Sequence, residues 1–417
     1  MAATEGKSFG DFADHQFFDA LFAIILFAAS ILGYLHIANS FFERTKAYSR
    51  TVLGVDHFAV TRHMCDLKFS PKQHRTTAHP LFALYFRPIC GPMKTKMLMT
   101  TAAMRINLVA AALGNILFYF CLRKIGLKSI LSALFTAFLA LSISHLIYGT
   151  IAETYIFVFT SLTLLLFVYL YLSRFPLFFI ACLAGSLVST GITATNAVFG
   201  ILLYFFKIRE KWGFSKALLH TIVFSLAMII GLFALIKLQH KMYPNLKDFF
   251  AETTVSSNTQ FLRTDVFDFP GAALAHRLPH LFVFNEIAPG MVRHKPGFPG
   301  WPNIPAITLI SITLYFAVIS LSVAAYVKAK TYRLKVFRPL SAYFLFNVCF
   351  FLFYGSEPHL YYEHYTFAWI AMLALPFASV NAIPKKIMLP LFVCIVLLLP
   401  LVALNNWYFI QSVLSSR

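Results

Sequence analysis

The chain has 417 residues, of which 59% are hydrophobic and 12% are charged, and its mean hydropathy is +0.73. This composition excludes a soluble globular protein and predicts an integral membrane protein. The net charge of +19 would suggest nucleic-acid binding in a soluble protein. Here much of that charge lies in short connections between apolar segments, so it indicates membrane topology and no nucleic-acid partner.

Apolar segments of roughly 20 residues recur along the chain, and they must fold as helices because lipid cannot hydrogen-bond to backbone groups. Hydropathy predicts about eleven of them, at residues 17–41, 99–121, 128–147, 152–173, 175–191, 192–206, 217–239, 304–327, 339–355, 362–383 and 387–404. Two long connections remain, at about 42–98 and 240–303. The sequence therefore predicts a single all-α transmembrane domain over residues 1–417.

Lys and Arg near the ends of these helices indicate orientation, because both residues prefer the cytoplasmic side of a membrane. They occupy the connections after the second, fourth, sixth, eighth and tenth predicted helices, namely Arg123, Lys124 and Lys128, then Arg174, then Lys207, Arg209, Lys211 and Lys216, then Lys328, Lys330, Arg333, Lys335 and Arg338, and finally Lys385 and Lys386. The alternate short connections contain neither Lys nor Arg. We therefore predict a cytoplasmic N-terminus, with both long loops on the outer face.

The first long loop contains two segments, at residues 56–67 and 80–89, in which apolar residues recur at three- and four-residue spacings among Arg and His. Such segments are typical of short helices that rest on a membrane surface. Cys65 and Cys90 are the two cysteines that share this loop. They can form a disulfide if the loop lies outside the cytoplasm, and two unpaired thiols are the alternative.

Polar residues that apolar surroundings do not explain gather at the predicted outer face. The selected residues are Asp56, Arg62, Asp66, Arg75 and His79 in the first outer loop, Glu153 and Asn196 at the outer ends of helices four and six, and Glu357 and His364 in the turn after helix nine. Ionisable groups near a membrane are costly, so several at one level of the bilayer indicate a binding or catalytic site. For each residue alone, a solvated or structural role is the alternative.

Asp56 and Asp66 are the candidates for a general base, which would take the proton from an attacking hydroxyl group. A helix cap is the alternative role for Asp56. Asp66 follows Arg62 by four residues, so an ion pair on one helix is its alternative role. The guanidinium groups of Arg62 and Arg75 match the geometry of phosphate oxygens, and attraction to anionic lipid headgroups is the alternative for both.

The remaining selected residues suit the walls of a substrate site, and each has a structural alternative. His79 precedes Pro80, so it can hydrogen-bond at a helix start or to a substrate phosphate. Glu153 can complement a helix dipole, and the small polar segment before Asn196 can serve close helix packing. The Glu and His residues after helix nine match no zinc-binding spacing, so no metal site is predicted.

Four short segments, HRTTAHPLF, AETY, TGITATN and YGSEPHLYYEH, resemble segments of uncharacterised bacterial multipass proteins of the GT-C glycosyltransferase superfamily. The resemblance covers most of residues 17–370. It implies an inverting transfer of a sugar from a polyprenyl-phosphate donor to a glycan, lipid or protein acceptor. It also implies a bacterial inner (plasma) membrane protein whose active site faces the periplasm or exterior.

The same resemblance implies roles for individual residues. An acidic residue of the first outer loop would be the base, a position that Asp56 matches best and Asp66 second. Members of the superfamily are expected to have an Asp closer to the residue that matches Arg62, where this chain has Ala59, so both acids stay open. The donor and acceptor cavity would be lined by His79, Glu153, Asn196 and Glu357. No cofactor is predicted, and a divalent cation is the open alternative.

Two other functions fit the predicted topology. A transporter or flippase of lipid-linked or anionic solutes would show inverted repeats and charged or broken helices near the middle of the membrane, and neither is evident in the sequence. A polymerase, ligase or acyltransferase with a histidine base would use the same face and another substrate. Motifs of soluble-type hydrolases, zinc proteases, ATPases and dinucleotide-binding proteins are absent from the sequence.

Overall fold

The computed structural model describes residues 9–44, 57–246, 286–287, 289, 306–354 and 358–415. These residues are predominantly helical and contain no β-strand. Six of the described helices are long and apolar enough to cross a membrane. The prediction of an all-α integral membrane protein is therefore confirmed, while contact with membrane lipids stays a prediction.

The described part of the chain forms fifteen α-helices. They are α1 (Phe9–Arg44), α2 (His57–Cys65), α3 (Gln73–Ala78), α4 (Phe82–Cys90), α5 (Lys96–Ile125), α6 (Ser129–Ala140), α7 (Ile143–Tyr148), α8 (Tyr155–Tyr171), α9 (Phe175–Ile192), α10 (Ala197–Trp212), α11 (Phe214–Met242), α12 (Ala306–Ala329), α13 (Phe337–Phe353), α14 (Thr366–Ala374) and α15 (Lys385–Ser415). Short 3-10 segments at Ala194–Asn196, Thr331–Arg333, Pro358–His364 and Leu375–Ala382 connect some of them.

Each predicted apolar segment overlaps a described α-helix, although some boundaries differ. Segment 128–147 is divided into α6 and α7, because Ser142 has an extended backbone conformation. The break predicted at residues 191–192 lies at Thr193, which is also extended. The six long apolar helices are α1, α5, α9, α11, α12 and α15, while α6, α8, α13 and α14 are apolar but shorter. The count of eleven crossings and their orientation stay predictions.

Helix α5 lies at the centre of the bundle and packs against α1, α6 and α8. Gly114 allows α8 to approach closely, since a Cβ atom at this position would lie 2.3 Å from the Phe159 ring. Farther along α5, the amide of Asn107 donates hydrogen bonds to the carbonyl oxygens of Tyr148, Ile151 and Glu153, at 3.2, 2.9 and 2.9 Å. These bonds hold the connection between α7 and α8 against the core.

The helices of the first long loop are α2, α3 and α4, and two of them confirm the predicted segments 56–67 and 80–89. Both α2 and α4 are packed into the hydrophobic core through residues such as Val60 and Phe82, so they do more than rest on a surface. Cys65 and Cys90 form a disulfide between them, with a Cα–Cα distance of 4.6 Å. The pairing that the sequence left open is thereby decided.

Candidate functional site

A cavity of about 410 Å³ lies where α3, α8, the end of α13 and two 3-10 segments meet, and we call it the site cavity. Its lining residues are Arg75, Thr77, Ala78, His79, Glu153, Tyr155, Thr193, Ala194, Thr195, Phe350, Phe351, Tyr354, Tyr361 and His364. Four residues selected from the sequence, Arg75, His79, Glu153 and His364, therefore come together from three separate connections of the chain. A fifth, Asn196, hydrogen-bonds to one of them.

Aromatic rings supply a large part of the cavity lining. Phe351 and Tyr361 stack with ring centroids 4.5 Å apart, and Phe350 stacks on Tyr354 at 4.9 Å. The Tyr155 ring meets Tyr361 edge-on at 6.1 Å. A mostly apolar wall with a few convergent polar groups is typical of small-molecule sites.

The imidazole of His364 has a defined orientation. Its Nδ1 lies 3.1 Å from Oδ1 of Asn196, and the amide of Asn196 donates from Nδ2 to the carbonyl oxygen of Ser189 at 3.2 Å. The second bond fixes which end of the amide faces the ring, so Nδ1–H of His364 donates to Oδ1. In the neutral ring, the lone pair is then on Nε2. His364 therefore offers the cavity a hydrogen-bond acceptor.

His79 is anchored in the same way, because its Nδ1 lies 2.7 Å from the carbonyl oxygen of Ile192. A carbonyl oxygen only accepts hydrogen bonds, so Nδ1–H donates and Nε2 of the neutral ring has the lone pair. The segment that anchors His79 packs tightly, since a Cβ atom on Gly191 would lie 2.8 Å from Cβ of Leu81. The two roles considered for this polar segment, helix packing and cavity lining, are both present, because Thr193 lines the cavity.

Among the described lining residues, Glu153 is the one carboxylate. It is buried, and its Oε1 accepts hydrogen bonds from the backbone N–H and the hydroxyl of Thr154, at 3.1 and 3.2 Å. These bonds lie just before the first turn of α8, as expected for an acid at a helix start. Its cavity position and its structural role are therefore compatible.

Arg62 and Asp66 are not lining residues of the site cavity. They form an ion pair at 3.0 Å on α2 and the turn after it, which is the alternative role considered for Asp66. Oδ1 of Asp66 also accepts a hydrogen bond from the backbone of Lys68 at 3.0 Å. Asp56 and Glu357 lie outside the described residues.

A second polar group lies deeper in the bundle, and the selection from the sequence missed three of its members, Ser144, His145 and Glu286. Ser144 donates its backbone N–H to Oε2 of Glu286 at 2.9 Å, and its Oγ lies 2.9 Å from the same oxygen and 2.7 Å from Oε1 of Glu363. Nδ1 of His145 lies 3.1 Å from Oε2 of Glu363. Glu363 directly precedes His364, so this group adjoins the site cavity.

We call Glu286 and Glu363 the buried acid pair. A hydroxyl has one proton, so Ser144 donates to one carboxyl group and accepts from the other, which must then be protonated. Burial, reinforced by the nearby Glu363, raises the pKa of Glu286 to about 8. The pair therefore holds a proton at neutral pH. Little in the sequence indicates this pair, because Ser144 and His145 lie in an apolar segment and Glu286 in a long loop.

Within the described residues, no group of three or more His, Cys, Asp or Glu side chains has the arrangement of a metal site. The open alternative of a divalent cation stays untested. Comparison of the chain with protein-family models, with curated proteins and with solved structures finds no match.

Proposed function

We propose that this protein is a membrane glycosyltransferase of the GT-C type, which transfers a sugar from a polyprenyl-phosphate donor to an acceptor on the extracytoplasmic face. The observation that carries the proposal is the site cavity, which combines stacked aromatic rings with Arg75, His79, Glu153 and His364. These four residues were selected from the sequence because all were predicted to lie at the outer face, and all four line the same cavity. An aromatic and polar lining suits a sugar, and a guanidinium group suits its phosphate.

The proposal includes about eleven membrane crossings, with the N-terminus in the cytoplasm and the site cavity facing outward. Two observations support this orientation. The disulfide between Cys65 and Cys90 lies in the loop proposed to be outside, and disulfides persist in oxidising compartments. Arg209 and Arg338 lie at the ends of α10 and α13 that are remote from the site cavity, as the preference of Arg for the cytoplasm requires.

In the proposed reaction, an acceptor hydroxyl attacks the anomeric carbon from the side opposite the phosphate. The carbon–oxygen bond to the phosphate breaks, the configuration inverts, and the base takes the hydroxyl proton. Arg75 would stabilise the negative charge that develops on the leaving phosphate. Nε2 of His79 and of His364 would accept hydrogen bonds from sugar hydroxyls. Asp56 is the favoured base, since Asp66 is engaged with Arg62.

Separate Asp56→Asn and Asp66→Asn variants test the base. Both are assayed in proteoliposomes for transfer from a labelled polyprenyl-phosphate sugar. We expect Asp56→Asn to lower the rate by at least ~100-fold, the usual contribution of a general base, while Asp66→Asn keeps most activity. Full activity in both variants would refute the mechanism. Movement of labelled lipid across the bilayer with no covalent product would instead identify a transporter or flippase.

A further inference from the structure

A second cavity, of about 290 Å³, lies at the far ends of α13, which borders the site cavity, and of α10, which follows the lining segment Ala194–Asn196; we call it the basic pocket. Its lining residues are Phe206, Arg209, Glu210, Arg333, Lys335 and Arg338. On α10, Arg209 is separated from the Asn196 end by roughly 20 Å of helix rise, and on α13 the same rise separates Arg338 from Phe351. The two cavities therefore lie at opposite ends of the same two helices.

Positive charge is in excess in the basic pocket. Its single acid, Glu210, is already engaged, because Oε2 pairs with Nζ of Lys335 at 3.0 Å and Oε1 accepts from the hydroxyl of Tyr169 at 3.3 Å. Arg209, Arg333 and Arg338 have no ion pair with any other residue that the structure describes. Three uncompensated guanidinium groups therefore face one small volume, where their mutual repulsion is relieved if an anion binds.

The preference of basic residues for the cytoplasmic side explains why Lys and Arg occur at these helix ends. It does not require that three of them be arginine, nor that residues from α10, α13 and the Thr331–Arg333 segment share one concavity. Guanidinium groups donate paired hydrogen bonds that match phosphate oxygens, which an ammonium group cannot do. The size of the basic pocket suits a phosphate with a small substituent.

From this convergence we propose that the basic pocket binds a phosphate-bearing anion on the face opposite the site cavity. A phospholipid headgroup and a soluble phosphate compound share the required chemistry. The proposal is independent of glycosyl transfer, since it uses neither the residues nor the face of the site cavity. It predicts that the protein responds to phosphate through Arg209, Arg333 and Arg338.

The test uses purified full-length protein and follows thermal unfolding in two arms. One arm adds inorganic phosphate or pyrophosphate to protein in neutral detergent, with chloride at equal ionic strength as the reference. The other compares nanodiscs of phosphatidylcholine with nanodiscs that also contain phosphatidylglycerol. Arg333→Gln and Arg338→Gln are compared with Arg174→Gln, which changes an exposed arginine outside the basic pocket.

We expect anion-dependent stabilisation of the wild-type protein, and apparent binding weakened by roughly tenfold in Arg333→Gln and Arg338→Gln, the loss of about one charge-assisted hydrogen bond. Arg174→Gln should respond like the wild type. A response in detergent identifies a soluble phosphate, and a response in nanodiscs alone identifies a lipid headgroup. Because these arginines are exposed, the variants should fold. No stabilisation in either arm, or equal loss in Arg174→Gln, would overturn the proposal.

Discussion

The protonation of the buried acid pair is set by its immediate neighbours. Ser144 bridges Glu286 and Glu363 with a single hydroxyl, and Nδ1 of His145 lies within hydrogen-bond distance of Glu363. Two ionised carboxylates at this spacing would repel each other. The Ser144 hydroxyl, which has one proton, could then donate a hydrogen bond to only one of them. The arrangement is therefore stable with one proton and strained without it.

Glu286 should make the stability of the protein depend on pH. Its pKa is raised from 4.5 to about 8, so between these values the folded state holds a proton that the unfolded state has lost. Stability due to this group is complete at low pH and falls as pH rises towards 8. We expect the free energy of unfolding of the wild type to decrease over this window by an amount on the order of a few kcal/mol. The temperature at the midpoint of thermal unfolding should decrease accordingly.

The Glu286→Gln variant isolates this contribution, because its side chain is neutral at every pH. Its midpoint should change less than that of the wild type across the same window. Glu210→Gln is the matched control, since Glu210 is partly exposed and paired with Lys335. An unchanged pH profile in Glu286→Gln would show that Glu286 is ionised in the folded protein.

Hydropathy predicted the positions of the helices well, because an apolar segment in lipid must satisfy its backbone hydrogen bonds internally and therefore folds as a helix. The amphipathic spacing in the first long loop likewise predicted α2 and α4. The break at Ser142 was not predicted, since serine is tolerated within membrane helices. The extended backbone of Ser142 is evident only from the structure. Glu286 could not be predicted either, because its burial depends on tertiary contacts with Ser144.

The site was predicted in part for a related reason. Topology assigns residues to one face, and that rule found Arg75, His79, Glu153 and His364. It cannot tell residues that line a cavity from residues that pair locally on the same face. Arg62 and Asp66 illustrate the difference, because their four-residue spacing on a helix satisfies both charges.

One side chain from α5, Asn107, makes three hydrogen bonds to the connection between α7 and α8. Replacing Asn107 with Leu would leave the carbonyl oxygens of Tyr148, Ile151 and Glu153 without their donor. Such a change destabilises a protein by about 1–3 kcal/mol. We also expect lower activity in the proposed transfer reaction, because Glu153 would no longer be held at the cavity wall.

Asn115→Leu is the control for this prediction. Asn115 lies on the same helix and donates to Ser30 and Tyr34, so its replacement removes buried hydrogen bonds but none of those that Asn107 makes to the α7–α8 connection. Thermal unfolding should report similar losses for both variants, while transfer activity should fall mainly in Asn107→Leu. Equal activity in the two variants would show that this connection does not position the site.

For the molecule as a whole, the separation of the two cavities gives the proposed topology its clearest test. The site cavity and the basic pocket lie toward opposite ends of α10 and α13, and the proposed topology puts the site cavity outside and the basic pocket in the cytoplasm. Lys94 is exposed in the first long loop, and Lys335 is exposed beside the basic pocket. In the proposed topology these two positions lie on opposite faces.

Single cysteines at these positions should react differently with a membrane-impermeant maleimide. The background lacks Cys121, Cys182, Cys349 and Cys394 but keeps the Cys65–Cys90 disulfide. In intact cells or right-side-out vesicles, Lys94→Cys should be labelled, whereas Lys335→Cys should be labelled only after permeabilisation. The reverse pattern would put the site cavity in the cytoplasm, where a disulfide in the first loop would be reduced. It would also remove the basis for a lipid-linked donor used on the outer face.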